Sequence, residues 1–163
     1  MSTQDNLKEA FAGESQANRR YTAFAEKAEE EGHPHIARLF RAAAKAETVH
    51  ALEHLRVLGE VGDTRQNLKE AIAGETHEFQ SMYPGFIREA EAEGSKAALY
   101  SFRNANAVEE IHAGLFSKAL AGINSPVEVA YYVCPVCGNT VENAAPQRCP
   151  ICNTPGEKFS RIE

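Results

Sequence analysis

The chain has 163 residues, room for one medium domain and a small one. A formal charge of −6 argues against nucleic acid as the main partner, because phosphate contacts need a basic face. The apolar runs are too short to span a membrane, and the N-terminal MSTQDNLKEAF lacks a basic-then-apolar leader, so the expected location is cytoplasmic, with no membrane partner.

From residue 3 to 121 the chain is rich in Ala, Glu, Lys, Arg, Leu and Phe with helical periodicity, and it is interrupted at few places. Gly32, followed by His33-Pro34, closes one helix and opens the next. Further breaks fall at Gly59 to Thr64, at Gly94-Ser95 and at Gly122 to Pro126. Four helices are expected near 3–31, 34–58, 65–93 and 95–121, each roughly 40 Å long. Beyond them Val127, Val129, Tyr131 and Val133 alternate as a strand does, and turn residues and cysteines follow. The expected division is a helical domain over 1–125 and a small loop-rich domain over 126–163.

The helical part contains an internal repeat. Asn6-Leu-Lys-Glu-Ala-Phe-Ala-Gly-Glu14-Ser recurs as Asn67-Leu-Lys-Glu-Ala-Ile-Ala-Gly-Glu75-Thr, an offset of 61. Further along the offset is 62: Tyr21 matches Tyr83, Gly32 matches Gly94, and Glu47-x-x-His50 matches Glu109-x-x-His112. The first two helices and the last two are therefore versions of one hairpin. Packing alone explains a duplicated hairpin, but it does not require Glu and His to recur at matched positions.

A di-iron carboxylate bundle takes one Glu from each of two helices and a Glu-x-x-His pair from each of the other two. Glu14 and Glu75 are the single residues here, and Glu47 with His50 and Glu109 with His112 are the pairs. Three-residue spacing puts both members of a pair on one helix face. Unpartnered buried carboxylates would protonate, whereas two divalent cations offset their charge, and oxygen and imidazole donors suit iron or manganese. Glu78, one turn after Glu75, has Ala17 as its repeat partner, so it is a seventh candidate ligand on one side only, or else a solvated surface residue. His54 follows His50 by one turn; it and His33, His35 and His77 are read as non-ligands.

The offset grows by one between Thr76 and Tyr83, in a helix that also contains Pro84. An extra residue in a helix is often absorbed as a π-bulge. A bulge between 76 and 84 would return Tyr83 to the site-facing position that Tyr21 holds in the first helix; otherwise both are core aromatics.

All four cysteines lie in two knuckles, Cys134-Pro-Val-Cys137 and Cys149-Pro-Ile-Cys152. In a cytosolic chain this is a metal site rather than a disulfide framework, and four thiolates suit either iron or zinc. Asn153 follows the second knuckle, and Asn tolerates the left-handed conformation better than most residues.

The AGES and AGETHEF segments around Glu14 and Glu75, the two Glu-x-x-His pairs and the cysteine knuckles together resemble the rubrerythrin family over nearly the whole chain. The preceding Tyr131-Tyr132-Val133 and the later Phe159 resemble a rubredoxin domain. The resemblance implies a mainly α fold, a ferritin-like four-helix bundle with a small β/loop rubredoxin-like domain. It implies two iron ions on Glu14, Glu47, His50, Glu75, Glu78, Glu109 and His112, and one on Cys134, Cys137, Cys149 and Cys152. It further implies that one iron leaves Glu78 for His50 on reduction, and that Tyr21 and Tyr83 hydrogen-bond ligand carboxylates. The implied activity is a peroxidase that reduces hydrogen peroxide to water. Electrons would come from an external NAD(P)H-dependent reductase or a rubredoxin, since this chain has no dinucleotide-binding motif. A ferroxidase or iron-storage protein and a non-enzymatic electron carrier are the rival readings.

Ferritin-like topology makes the second and third helices parallel and needs a long crossover. About seven residues, Gly59 to Arg65, reach roughly 25 Å, short of a helix of roughly 40 Å. The expectation is a homodimer in which two chains exchange hairpins, although metal geometry alone does not force it, since a simple up-down-up-down bundle could also bring these ligands together.

Overall fold

A computed structural model describes residues 2–125 and 127–163 of the chain. They divide into two compact units, Met1–Gly62 and Asp63–Glu163. The expected domain boundary abuts Pro126, which lies outside the described residues.

The first unit is a helical hairpin of α1 (Thr3–Glu30) and α2 (Pro34–Leu58). A capping box starts α1: the Asp5 N–H donates to Ser2 Oγ, and the Ser2 N–H donates to the Asp5 carboxylate. The Ser2 N–H and the Ser2 hydroxyl, both donating to it, hold the Asp5 carboxyl below its usual range. Pro34 opens α2 and Gly59, at φ 73°, closes it in the left-handed region. The two helices close on alanines, with Ala25, Ala28, Ala37, Ala44 and Ala51 all buried. Above this seam Tyr21, Phe24 and Phe40 stack, with Phe24 and Phe40 at 5.5 Å between centroids. Asn18 is buried and clamps the partner helix, its Nδ2 donating to the Ala44 carbonyl at 2.6 Å and to Thr48 Oγ1 at 2.7 Å.

The second unit repeats this hairpin. α3 (Thr64–His77) is capped by Asp63, which accepts from the Gln66 N–H. It runs into a π-helical segment, Glu78–Met82, then α4 (Tyr83–Glu93), and α5 (Lys96–Ala121) returns. The third helix predicted from the sequence is thus one helix with a π turn inside it. The Tyr83 N–H donates to the Glu78 carbonyl five residues back, which absorbs the inserted residue where the repeat offset changes. The aromatic trio recurs at offset 62 as Tyr83, Phe86 and Phe102, with Phe86 and Phe102 again at 5.5 Å. The cross-helix ion pair recurs too, Arg41–Glu29 becoming Arg103–Glu91.

A three-stranded antiparallel sheet of order β2-β1-β3 follows, with β1 Tyr131–Val133, β2 Thr140–Glu142 and β3 Ser160–Ile162. The alternation at Val127 and Val129 does not extend the strand, because both partner strands are three residues long and the ladder ends at Tyr131. Cys134, Cys149 and Phe159 form the buried core of this module. No described helix is long and apolar enough to cross a membrane.

Candidate metal centres

Each hairpin brings three candidate donors together. In the first, Glu14 on α1 and Glu47 and His50 on α2 offer donor atoms that all lie within 4.8 Å of one another. In the second, Glu75 on α3 and Glu109 and His112 on α5 do the same. The helical spacing fixes the pairs: His50 Nδ1 lies 3.0 Å from Glu47 Oε2, and His112 Nδ1 lies 2.9 Å from Glu109 Oε2. Glu75 Oε1 is 3.7 Å from the same His112 nitrogen. Donors bonded at about 2.0–2.2 Å to one cation stand roughly 3 Å apart when adjacent, which the Glu47–His50 and Glu109–His112 distances match.

The electrostatics agree. Burial pushes the Glu75 carboxyl above its usual range and the facing Glu109 carboxylate pushes it further, partly countered by His112. Two carboxylates this close require a shared proton or a cation. Tyr83 sits in the same field: burial, then Glu109, Glu78 and Glu75, raise its phenol. The π turn therefore places Tyr83 near the second trio, the position predicted for it. Glu78 is not part of either cluster of three; it stands half-buried at the first position of the π segment. His54 joins neither trio among the described residues.

The two knuckles are related by a local pseudo-symmetry. Cys134 N–H donates to the Asn139 carbonyl at 2.9 Å, and Cys149 N–H donates to the Thr154 carbonyl at 2.8 Å. Gly138 and Asn153, one after each knuckle, both have positive φ, 81° and 64°, so Asn153 does adopt the left-handed conformation. Sγ atoms of Cys134 and Cys152, and of Cys137 and Cys149, are 3.5 Å apart. A tetrathiolate with bonds of about 2.3 Å has sulfurs roughly 3.8 Å apart, so the four thiols are preset for a tetrahedral metal.

Burial pushes the Cys134 thiol up, but the backbone N–H groups of Cys137 and Val136 outweigh it and bring it to about 7. Cys149 is lowered in the same way by the backbone of Cys152 and Ile151. Burial raises Cys137. Asn139 is fully buried, and its Nδ2 points at Cys149 Sγ, 3.7 Å away. The sequence reading did not single out Asn139 or Thr154, although their matched places after the two knuckles carry the signal.

Two family models match the chain: "Rubrerythrin" over residues 5–120 and "Rubrerythrin, rubredoxin-like domain" over 132–160. The chain belongs to the rubrerythrin family. Nigerythrin of Nitratidesulfovibrio vulgaris is 38% identical to it, covering 98% of this chain and 86% of that protein. Rubrerythrin-2 of Clostridium acetobutylicum is 38% identical, over 96% of this chain and 95% of that one. Among solved structures, the partially reduced state of nigerythrin matches with a TM-score of 0.61 at 35% identity, covering 99% of this chain and 87% of that one. The all-ferrous, fully reduced state of nigerythrin also has a TM-score of 0.61. As a rubrerythrin the chain carries a carboxylate–histidine di-iron site and a rubredoxin-like tetracysteine iron site; its four cysteines are clustered, and each hairpin clusters one carboxylate–histidine trio.

Proposed function

We propose that the protein is a peroxidase that reduces hydrogen peroxide to water in defence against oxidative stress. The observation that carries this reading is the pairing in one chain of two carboxylate–histidine trios with a preset tetrathiolate. The trios would hold two ferrous ions, which would supply the two electrons that a peroxide O–O bond needs for cleavage, and the four cysteines would hold an iron able to pass electrons one at a time. Glu14, Glu47, His50, Glu75, Glu109 and His112 hold the pair, and Glu78 adds a carboxylate on one side only. Glu78 and His50 form the two ends of a ligand exchange, and Tyr21 and Tyr83 orient ligand carboxylates, a role the negative surroundings of Tyr83 support. Glu78, a half-buried carboxylate at the π turn, would hand a proton to a leaving oxygen. Electrons reach the tetracysteine centre from a separate NAD(P)H-dependent reductase or a rubredoxin. The helical domain spans 1–125 and the rubredoxin-like domain 126–163.

The site is shared between two copies of the chain. The linker between α2 and α3 is Gly59 to Asp63, and fully extended it reaches about 17 Å, less than half of a 25-residue helix of about 37 Å. Each trio supplies half of the donors, and the alanine seam of the first hairpin leaves Leu39 68% and Val49 57% exposed. A homodimer with exchanged hairpins covers such faces and joins Glu14, Glu47 and His50 of one copy to Glu75, Glu78, Glu109 and His112 of the other.

Stopped-flow oxidation of the diferrous protein tests the activity. Oxidation by hydrogen peroxide much faster than by dioxygen supports it. Faster reaction with dioxygen, with accumulation of a mineral core, overturns it in favour of iron storage.

A further inference from the structure

The repeat makes His50 and His112 equivalent, yet their surroundings differ. His50 Nδ1 meets Glu47, and its side chain is 55% exposed in its own hairpin. His112 is 26% exposed, and its outer nitrogen is engaged: Nε2 lies 3.0 Å from Thr140 Oγ1, on β2 of the cysteine module. The Thr140 hydroxyl in turn donates to the Gly138 carbonyl at 3.1 Å. Gly138 directly follows the knuckle cysteine Cys137. The contact is not isolated. Two residues on along β2, Glu142 accepts from Lys118 Nζ at 2.5 Å, so one face of β2 lies along α5.

We propose that Thr140 is a positioning residue of the di-metal site: its hydroxyl fixes the tautomer and ring orientation of His112 and ties that ligand to the first cysteine knuckle. The argument rests on the reading of His112 as a ligand, and the polarity of the hydrogen bonds carries it. A hydroxyl has one proton. Thr140 spends it on the Gly138 carbonyl, so toward His112 it is an acceptor. An imidazole proton therefore sits on Nε2, which leaves Nδ1 to face the carboxylates. Nδ1 faces Glu109 Oε2 at 2.9 Å and Glu75 Oε1 at 3.7 Å, so a proton or a metal ion has to lie between them. With Nε2–H donating to Oγ and Oγ–H to the carbonyl, Nδ1 is the nitrogen left to face a metal beside the two carboxylates. His50 has no such anchor from its own hairpin among the described residues, so the two imidazoles are built unequal: one locked, one free to move.

The test uses the full-length, iron-loaded protein and two variants. T140V is close in shape and keeps the β-branched side chain that suits β2, but it removes the hydroxyl. T140S keeps the hydroxyl. In the diferrous protein each iron-bound imidazole gives an iron-shifted, solvent-exchangeable N–H proton resonance. The expected result is that T140V displaces or broadens one of the two resonances and weakens ferrous binding at the bundle site roughly 10- to 100-fold. T140S retains both resonances and the affinity, and the red tetracysteine spectrum is unchanged throughout. Wild-type resonances and affinity in T140V would overturn the proposal. So would equal damage in T140S, which would make Thr140 a packing residue. If the wild type itself shows no such imidazole resonances, the ligand reading fails first and this proposal with it.

Discussion

The Tyr83 N–H donates to the carbonyl of Glu78 five residues back, whereas the matching stretch of α1 is α-helical throughout. The extra residue in the second hairpin is confined to this one turn, and register is regained before Tyr83. That explains why both aromatic trios stack alike on either side of an insertion.

Deletion tolerance follows from this relationship. Removing exposed Gln80 takes out the surplus residue and leaves an uninterrupted helix like α1. The variant should fold with unchanged helix content, and the Tyr83 phenol should still ionise above its usual value. Removing exposed Gln16 from α1 has the opposite outcome, because it turns Tyr21 and Phe24 by about 100° relative to the start of the helix. Thermal melts of both variants and a phenol titration against Y83F check this. Equal tolerance of the two deletions would contradict it.

Glu75→Gln should act with opposite signs in metal-free and metal-loaded protein. Burial and Glu109 raise the Glu75 carboxyl above its ordinary value of 4.5. A raised carboxyl contributes stability below the ordinary value and loses it as pH rises through the raised one. Above the ordinary value the metal-free fold therefore bears the cost of either holding or losing this proton, and Gln removes that cost. Metal-free E75Q is expected to melt a few degrees above wild type at pH 7 and to match it near pH 3.5. Loaded with iron, E75Q should lose metal more readily. Calorimetry with and without metal decides, and a lower melting temperature for metal-free E75Q at pH 7 sinks the idea.

Gly156 tests the preset knuckle. A Cβ there would fall on the Pro146 carbonyl oxygen, and the Gly156 N–H is bonded to the Gln147 carbonyl at 2.9 Å. Neither backbone segment can yield easily, since Cys149 follows within the same turn. G156A should cost at least about 2 kcal/mol of module stability and shed the tetracysteine metal. The visible ferric tetrathiolate band during denaturant titration reports both, and a wild-type midpoint would contradict the clash.

Much of this was legible in the sequence for a physical reason. Candidate ligands such as Glu47 and His50 are three apart on one helix, and the knuckles are four-residue motifs, so their geometry is set locally. The π turn was legible because a repeat supplies an internal ruler: Tyr21 to Tyr83 is one residue longer than Glu14 to Glu75. The link from His112 to Thr140 was not, because the two are 28 residues apart on different elements and no periodicity records the contact. Asn139 behind Cys149 was hidden likewise. The strand expected over 127–133 shrank to Tyr131–Val133 because strand length depends on the partners as well as on the alternating residues.

Complementation tests most directly the claim that two copies share one di-iron site. One variant carries Glu47→Ala and His50→Ala, the other Glu109→Ala and His112→Ala. Each alone has every site half-destroyed. Unfolded together at equal amounts and refolded with iron, half of the dimers are mixed, and each mixed dimer regains one intact site of two. The mixture should recover about a quarter of the wild-type di-iron content and peroxide-oxidation rate, while each parent shows almost none. A mixture no better than its parents would place all the donors of a site on one chain and contradict the shared centre.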